Sequence, residues 1–93
     1  MREKTTEAKL AQAAKARGGM APKLTCPGLD GMPDRIVLMP EGRVGFVEAK
    51  APGKATRPLQ ESRHRALRRL GFKVFVLDDP DQIGGILDEI CSA

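Results

Sequence analysis

The stretch Gly31 to Lys50, GMPDRIVLMPEGRVGFVEAK, constrains the fold more than any other part of the chain. Arg35 to Met39 and Arg43 to Ala49 are runs rich in Ile, Val, Leu and Phe, and the connection between them, Pro40-Glu41-Gly42, ends in a glycine able to take positive φ. That pattern predicts a β-hairpin. Pairing centred on Glu41 sets Met39 opposite Arg43, Val37 opposite Gly45 and Asp34 opposite Glu48. A bulge at Gly42 would slip the register by one residue and send the two acids to opposite faces.

Side chains directly opposed in an antiparallel pair have Cβ atoms about 4.5 to 5.5 Å apart, and like charges there repel. A hard divalent cation offsets that repulsion; Mg²⁺ is held by one or two carboxylates and completed by waters and a substrate phosphate. Because strand side chains alternate, Lys50 projects on the same face as Glu48, so Asp34, Glu48 and Lys50 converge. A plainer reading makes Asp34 part of a turn after Gly-Met-Pro, and Glu48 with Lys50 a solvated ion pair. Val44 and Phe46, which lead into Glu48, weigh against it, because an unpaired charge in apolar surroundings is costly.

Pro33-Asp34, followed by Glu48-Ala49-Lys50 at the end of the next strand, resembles the PD...(D/E)xK signature of metal-dependent nucleases. The longer string GMPDRIVLMPEGRVGFVEAKAPGKATRPLQ, with a helix after it, is similar to the VRR-NUC branch of that superfamily. The resemblance implies an α/β (α+β) mixed sheet, a restriction-endonuclease-like αβββαβ core, with an extra C-terminal helix. It implies an endonuclease that hydrolyses DNA phosphodiester bonds with Mg²⁺ or Mn²⁺ and leaves a 5′ phosphate. Asp34, Glu48 and the Ala49 carbonyl would hold the metal, and Lys50 would orient water or stabilise the transition state. It adds Gln60, from Pro-Leu-Gln, and a glutamate of the first helix to the site, and sets Lys23 near it. Small stand-alone relatives look like Holliday-junction resolvases, so a homodimer acting on four-way or branched DNA is expected.

At 93 residues the chain is expected to form one domain, 1–93. Such a chain hides only about 60 to 65% of its unfolded surface, and dimerisation would supplement that. A net charge of +4 suits a polyanionic partner. With no Trp or Tyr and three Phe, a base-stacking platform is not expected, and contact would run through backbone phosphates. Cys26 and Cys91 stand far apart with no CxxC, which fits a reduced cytoplasmic protein. No apolar run approaches the roughly 20 residues of a membrane span, and no organic cofactor is expected.

Along the chain, TTEAKLAQAAKAR predicts a helix from Thr5 to Arg17, capped by Thr5 or Thr6 and stopped at Gly18-Gly19. Glu7 shares its apolar face with Leu10, Ala11 and Ala14, and an inward Glu needs a partner. It reads either as a first-turn acid favoured by the helix dipole or as a third acid at the site, with Glu3 as rival. Met20 to Thr25 predicts an edge strand containing Pro22, in which Lys23 either solubilises the edge or binds phosphate. Ala51 to Pro58 is a basic loop carrying Lys54 and Arg57.

A second helix, started by Thr56 or Pro58, runs to about Leu70 with an apolar stripe of Leu59, Ala66, Leu67 and Leu70. Gln60 and His64 border the stripe, His64 as a surface residue within reach of nucleic acid, and Arg65, Arg68 and Arg69 point outward. Arg63 lies inside the stripe and is expected to snorkel out or pair with a carboxylate, with nucleic acid as a further contact. Phe72 to Leu77 reads as an interior strand. A last helix to about Cys91 contains Gly84-Gly85, whose helix cost of about 1 kcal/mol each suggests close packing.

Overall fold

The second hairpin strand, β2 (Arg43–Ala49), is the middle of the sheet, with β1 (Arg35–Met39) antiparallel on one side and β3 (Lys73–Leu77) parallel on the other. The structure is a computed structural model and describes residues 3–92. Helix α1 (Glu3–Ala16) precedes the sheet, α2 (Pro58–Arg69) connects β2 to β3, and α3 (Ile83–Cys91) follows. Parallel neighbours need a crossover, and α2 supplies it.

Because β2 is central, its alternate side chains feed two cores. Val47 belongs to the larger one, which Leu10 and Ala14 of α1 and Ile83, Ile86, Leu87 and Ile90 of α3 close from one face. Phe46 belongs to a smaller one on the opposite face, with Leu67 of α2 and Val74 of β3. Glu48 is two residues from Phe46 and so faces α2. The layers therefore turn the Glu-x-Lys end of β2 toward the start of α2.

The hairpin pairs as expected, from Met39↔Arg43 to Arg35↔Val47, with no slip. Gly42 takes a positive φ of 75°, and Glu41 enters the left-handed region with it at φ 67°. For a non-glycine residue that costs roughly 1–2 kcal/mol, and the paired strands on either side hold it. Helix α1 starts at Glu3, two residues before the expected cap, so Thr5 and Thr6 lie inside it and Thr6 is buried. It stops at the expected glycines: Gly18, at φ 86°, donates to Lys15 O at 3.0 Å and Gly19 to Ala14 O at 2.9 Å.

Four expectations are corrected. The edge strand at Met20 to Thr25 is reduced to two isolated bridges, Met20↔Leu38 and Lys23↔Arg35, because Pro22 has no N–H and contributes only its carbonyl, accepting from Ile36 N at 3.2 Å. The order of regular elements is thus α, β, β, α, β, α. β3 is an edge strand instead of an interior one, and its apolar run serves the two cores through Val74 and Leu77. On α2, Leu59 and Leu70 are exposed while His64 and Leu67 are buried, so the inward stripe is rotated toward the Gln60 border. Gly84 and Gly85 face open space, and the close approach to α3 is made by Gly45 of β2, where a Cβ would lie 2.6 Å from Ile90 Cγ1. Among the described residues no helix is long and apolar enough to cross a membrane.

Candidate active site

Asp34 sits in the bend before β1, one residue past the last ladder pair, so the register sets it opposite Glu48. Its Oδ2 accepts the Ala49 N–H at 3.0 Å, which fixes the carboxylate against β2. The Asp34 and Glu48 carboxyl groups lie close enough for the charge of Asp34 to act on Glu48. Like charges that close raise the cost of ionising both acids together. Burial, then the Asp34 charge, pushes Glu48 up to about 7, and Lys50 opposes the shift. Asp34 is also raised, first by burial and then by the charge of Glu7, against the Ala49 hydrogen bond.

Lys50 completes the trio, with Nζ 3.6 Å from Glu48 Oε2. Gln60 comes from the other side. Pro58 at the first position of α2 sets the helix start, Gln60 Oε1 accepts the Arg57 N–H at 3.0 Å, and Gln60 Nε2 donates to Glu48 Oε2 at 2.9 Å. One side chain thereby caps the helix and aims the strand's carboxylate.

The other Glu48 oxygen, Oε1, is buried with no hydrogen-bond partner among the described residues. A buried carboxylate oxygen without a donor is costly, and a cation is one group that could offset the cost. Two carboxylates, with backbone carbonyl and water to complete the shell, suit Mg²⁺ or Mn²⁺, whereas zinc sites are built from Cys and His. Among the described residues no three His, Cys, Asp or Glu side chains gather as a metal site. The Asp34–Glu48 pair is the set whose chemistry would fit such a cation.

The Glu7 side chain is paired with Arg35. Its Oε1 accepts from Arg35 Nε at 2.8 Å, with both side chains 15% exposed, and Arg35 Nη1 also donates to Ala21 O at 2.9 Å. Sequence reasoning missed Arg35; the available signal was the inward Glu on α1, which required a cation across the core. Glu7 reaches the site through its charge on Asp34.

The expected nucleic-acid contacts divide. Lys23, Lys54 and Arg57 are exposed. Arg63 pairs with a backbone carbonyl instead of a carboxylate, donating from Nε to Asp30 O at 2.7 Å and tying the loop before Asp34 to α2. His64 is not on the surface: it is 2% exposed, because α2 lays that side against the sheet. Burial, then the Arg68 charge, lowers its pKa, so the ring is neutral near pH 7.

A mixed sheet with helices on both faces, bringing an Asp, a Glu-x-Lys and a helix Gln together at one end of its central strand, defines a domain of the restriction-endonuclease type. The chain is 43% identical over 81 residues to "Putative nuclease p44" of Acyrthosiphon pisum secondary endosymbiont phage 1, covering 87% of each. It superimposes on a solved structure described as "VRR_NUC domain" with a TM-score of 0.85 and 30% identity, over 92% of this chain and 94% of that one. No family model matches the chain. On the strength of these two relatives, the chain belongs to the VRR-NUC family.

Proposed function

We propose that the protein is an Mg²⁺- or Mn²⁺-dependent endonuclease that hydrolyses phosphodiester bonds of DNA. The observation that carries this reading is the opposed pair Asp34 and Glu48: among the described residues Glu48 Oε1 is buried without a donor, and the Lys50 ammonium is 3.6 Å from Oε2 of the same carboxylate. The phage relative named as a nuclease supports it. Asp34, Glu48 and the Ala49 carbonyl hold the cation. The chemistry a cation supplies there is activation of the attacking water and neutralisation of charge building on the scissile phosphate. Lys50 adds a positive charge where the phosphoryl oxygens become more negative. Gln60 keeps Glu48 in the ligating orientation through its 2.9 Å hydrogen bond. The exposed Lys23, Lys54 and Arg57 hold the strand by its phosphates.

The substrate is branched DNA, with the four-way junction first, and the acting form is a homodimer with one site per protomer. A net charge of +4 favours such a polyanion. The test is incubation with four-way, flapped and linear DNA in Mg²⁺, Mn²⁺ or EDTA, comparing wild type with Glu48→Gln and Lys50→Ala, and light scattering for the dimer. Metal-dependent nicking by the wild type, reduced at least about 10³-fold in both variants, is the expected result. Binding without cleavage would leave a DNA-holding module instead.

A further inference from the structure

Among the described residues, two buried side-chain atoms have no hydrogen-bond partner: Glu48 Oε1, which the metal reading accounts for, and His64 Nε2, which it does not. His64 follows Gln60 by four residues on α2, so it lies one helical turn, about 5.4 Å, beyond the contact to Glu48. There it forms part of the wall of a cavity of about 260 Å³ between α2 and β3, lined also by Thr56, Glu61, Arg65, Arg68 and Val76.

The polar groups of that wall are unequally committed. Glu61 Oε1 accepts from the Thr56 hydroxyl at 2.9 Å, and Arg68 Nη2 is anchored on Val74 O at 2.8 Å, which leaves its remaining N–H groups free to turn to a ligand. Arg65 makes no hydrogen bond or ion pair among the described residues that would draw it away. A buried neutral imidazole nitrogen without a partner and two guanidiniums around a water-accessible cavity make a donor-rich pocket for an oxyanion. It adjoins the metal pair, close enough for the Lys50 and Asp34 charges to be felt at His64.

We propose that this cavity is a second phosphate subsite, which takes a backbone phosphodiester flanking the scissile one, with His64 Nε2–H and the Arg65 and Arg68 guanidiniums as donors. The inference rests on the nuclease reading and deepens it. One helical turn is about 5.4 Å, a separation that neighbouring phosphates of a single backbone can bridge, so the subsite holds the same strand that runs through the metal pair and fixes which bond lies over Asp34 and Glu48.

The experiment uses oligonucleotide substrates carrying one uncharged methylphosphonate at successive positions around the cut, with wild type, Arg65→Gln and His64→Gln, each variant first checked by thermal melting. The expected result is one flanking position at which neutralisation lowers wild-type kcat/KM about tenfold or more, while Arg65→Gln, exposed and so safe for folding, loses less than about threefold there. Cleavage by the wild type that is indifferent to every flanking neutralisation overturns the subsite and leaves the nuclease intact. So does an Arg65→Gln enzyme that keeps the full wild-type sensitivity. A wild type that cuts no substrate with Mg²⁺ or Mn²⁺ overturns the nuclease reading and the subsite with it.

Discussion

Gln60 is bonded at both ends of its amide: Nε2 donates to Glu48 Oε2 at 2.9 Å, and Oε1 accepts the Arg57 N–H at 3.0 Å. The same residue closes the first turn of α2 and sets the orientation of the carboxylate at the end of β2. Gln60→Ala therefore removes two things. Loss of the cap lowers stability by about 1 kcal/mol, and loss of the carboxylate's partner lowers kcat/KM about 10- to 100-fold. Gln60→Glu keeps the acceptor for Arg57 N but puts a third carboxylate against Glu48, so it restores less activity than its shape suggests. Urea melts and a cleavage assay on the same preparations separate the two effects.

The proton held by Glu48 gives the metal-free protein a defined pH dependence. Glu48 rises in the folded state from the ordinary 4.5 to about 7, so the fold binds this proton more tightly than the unfolded chain does. The corresponding stability is fully present below pH 4.5 and is lost as pH rises through about 7, with Asp34 shifted in the same direction. The loss is on the order of 3 kcal/mol. In EDTA, urea unfolding from pH 4.5 to 8 is expected to show this decline in wild type and a much flatter curve in Glu48→Gln. At pH 7.5, added Mn²⁺ raises the wild-type Tm and leaves that of Glu48→Gln nearly unchanged.

The hairpin register was legible because strand alternation is local. Once Pro40-Glu41-Gly42 is taken as the connection, period two carries Asp34 to Glu48 with no knowledge of the rest of the fold. The face of α2 was not legible in that way, since Leu59 and His64 are both plausible inward residues until the sheet says which side it covers; the sheet covers His64 and leaves Leu59 46% exposed. The expected edge strand failed at Pro22, where a missing N–H breaks a ladder that composition alone would extend. Glu7 needed a partner, and the sequence showed the need but not that Arg35, next to Asp34 in the chain, meets it.

The glycines of α3 and β2 exchange the roles that the sequence suggested. Gly84 and Gly85 face open space, so Ala at either position removes unfolded-state freedom without meeting any atom, and each substitution is expected to stabilise by about 0.5 to 1 kcal/mol. Gly45 is the close approach: an added Cβ lies 2.6 Å from Cγ1 and 2.7 Å from Cδ1 of the buried Ile90 side chain. Gly45→Ala is expected to destabilise by about 1–3 kcal/mol. Equilibrium urea unfolding of the three single variants measures all of these. Destabilisation by Gly84→Ala or Gly85→Ala would show that something covers that stretch of α3 in solution.

Arg35 and Glu7 provide the sharpest test of what the first helix does for the site. The pair is 2.8 Å apart and 15% exposed on each side, and it lies beside Asp34 without entering the acid pair. Glu7→Gln keeps the shape but leaves Arg35 with an unbalanced, largely sheltered charge next to Asp34, which costs about 1–3 kcal/mol. That charge now acts on Asp34 without the opposing Glu7, so the Asp34 proton is released at lower pH and the low-pH limb of the cleavage profile moves down. Arg35→Met alone leaves the Glu7 charge unpaired and moves the limb up. The double variant, with neither charge, returns stability and profile toward wild type. A Glu7→Gln enzyme that instead loses cleavage about 10³-fold or more at every pH, with its melting temperature unchanged, would identify Glu7 as a metal ligand reached by a movement of α1.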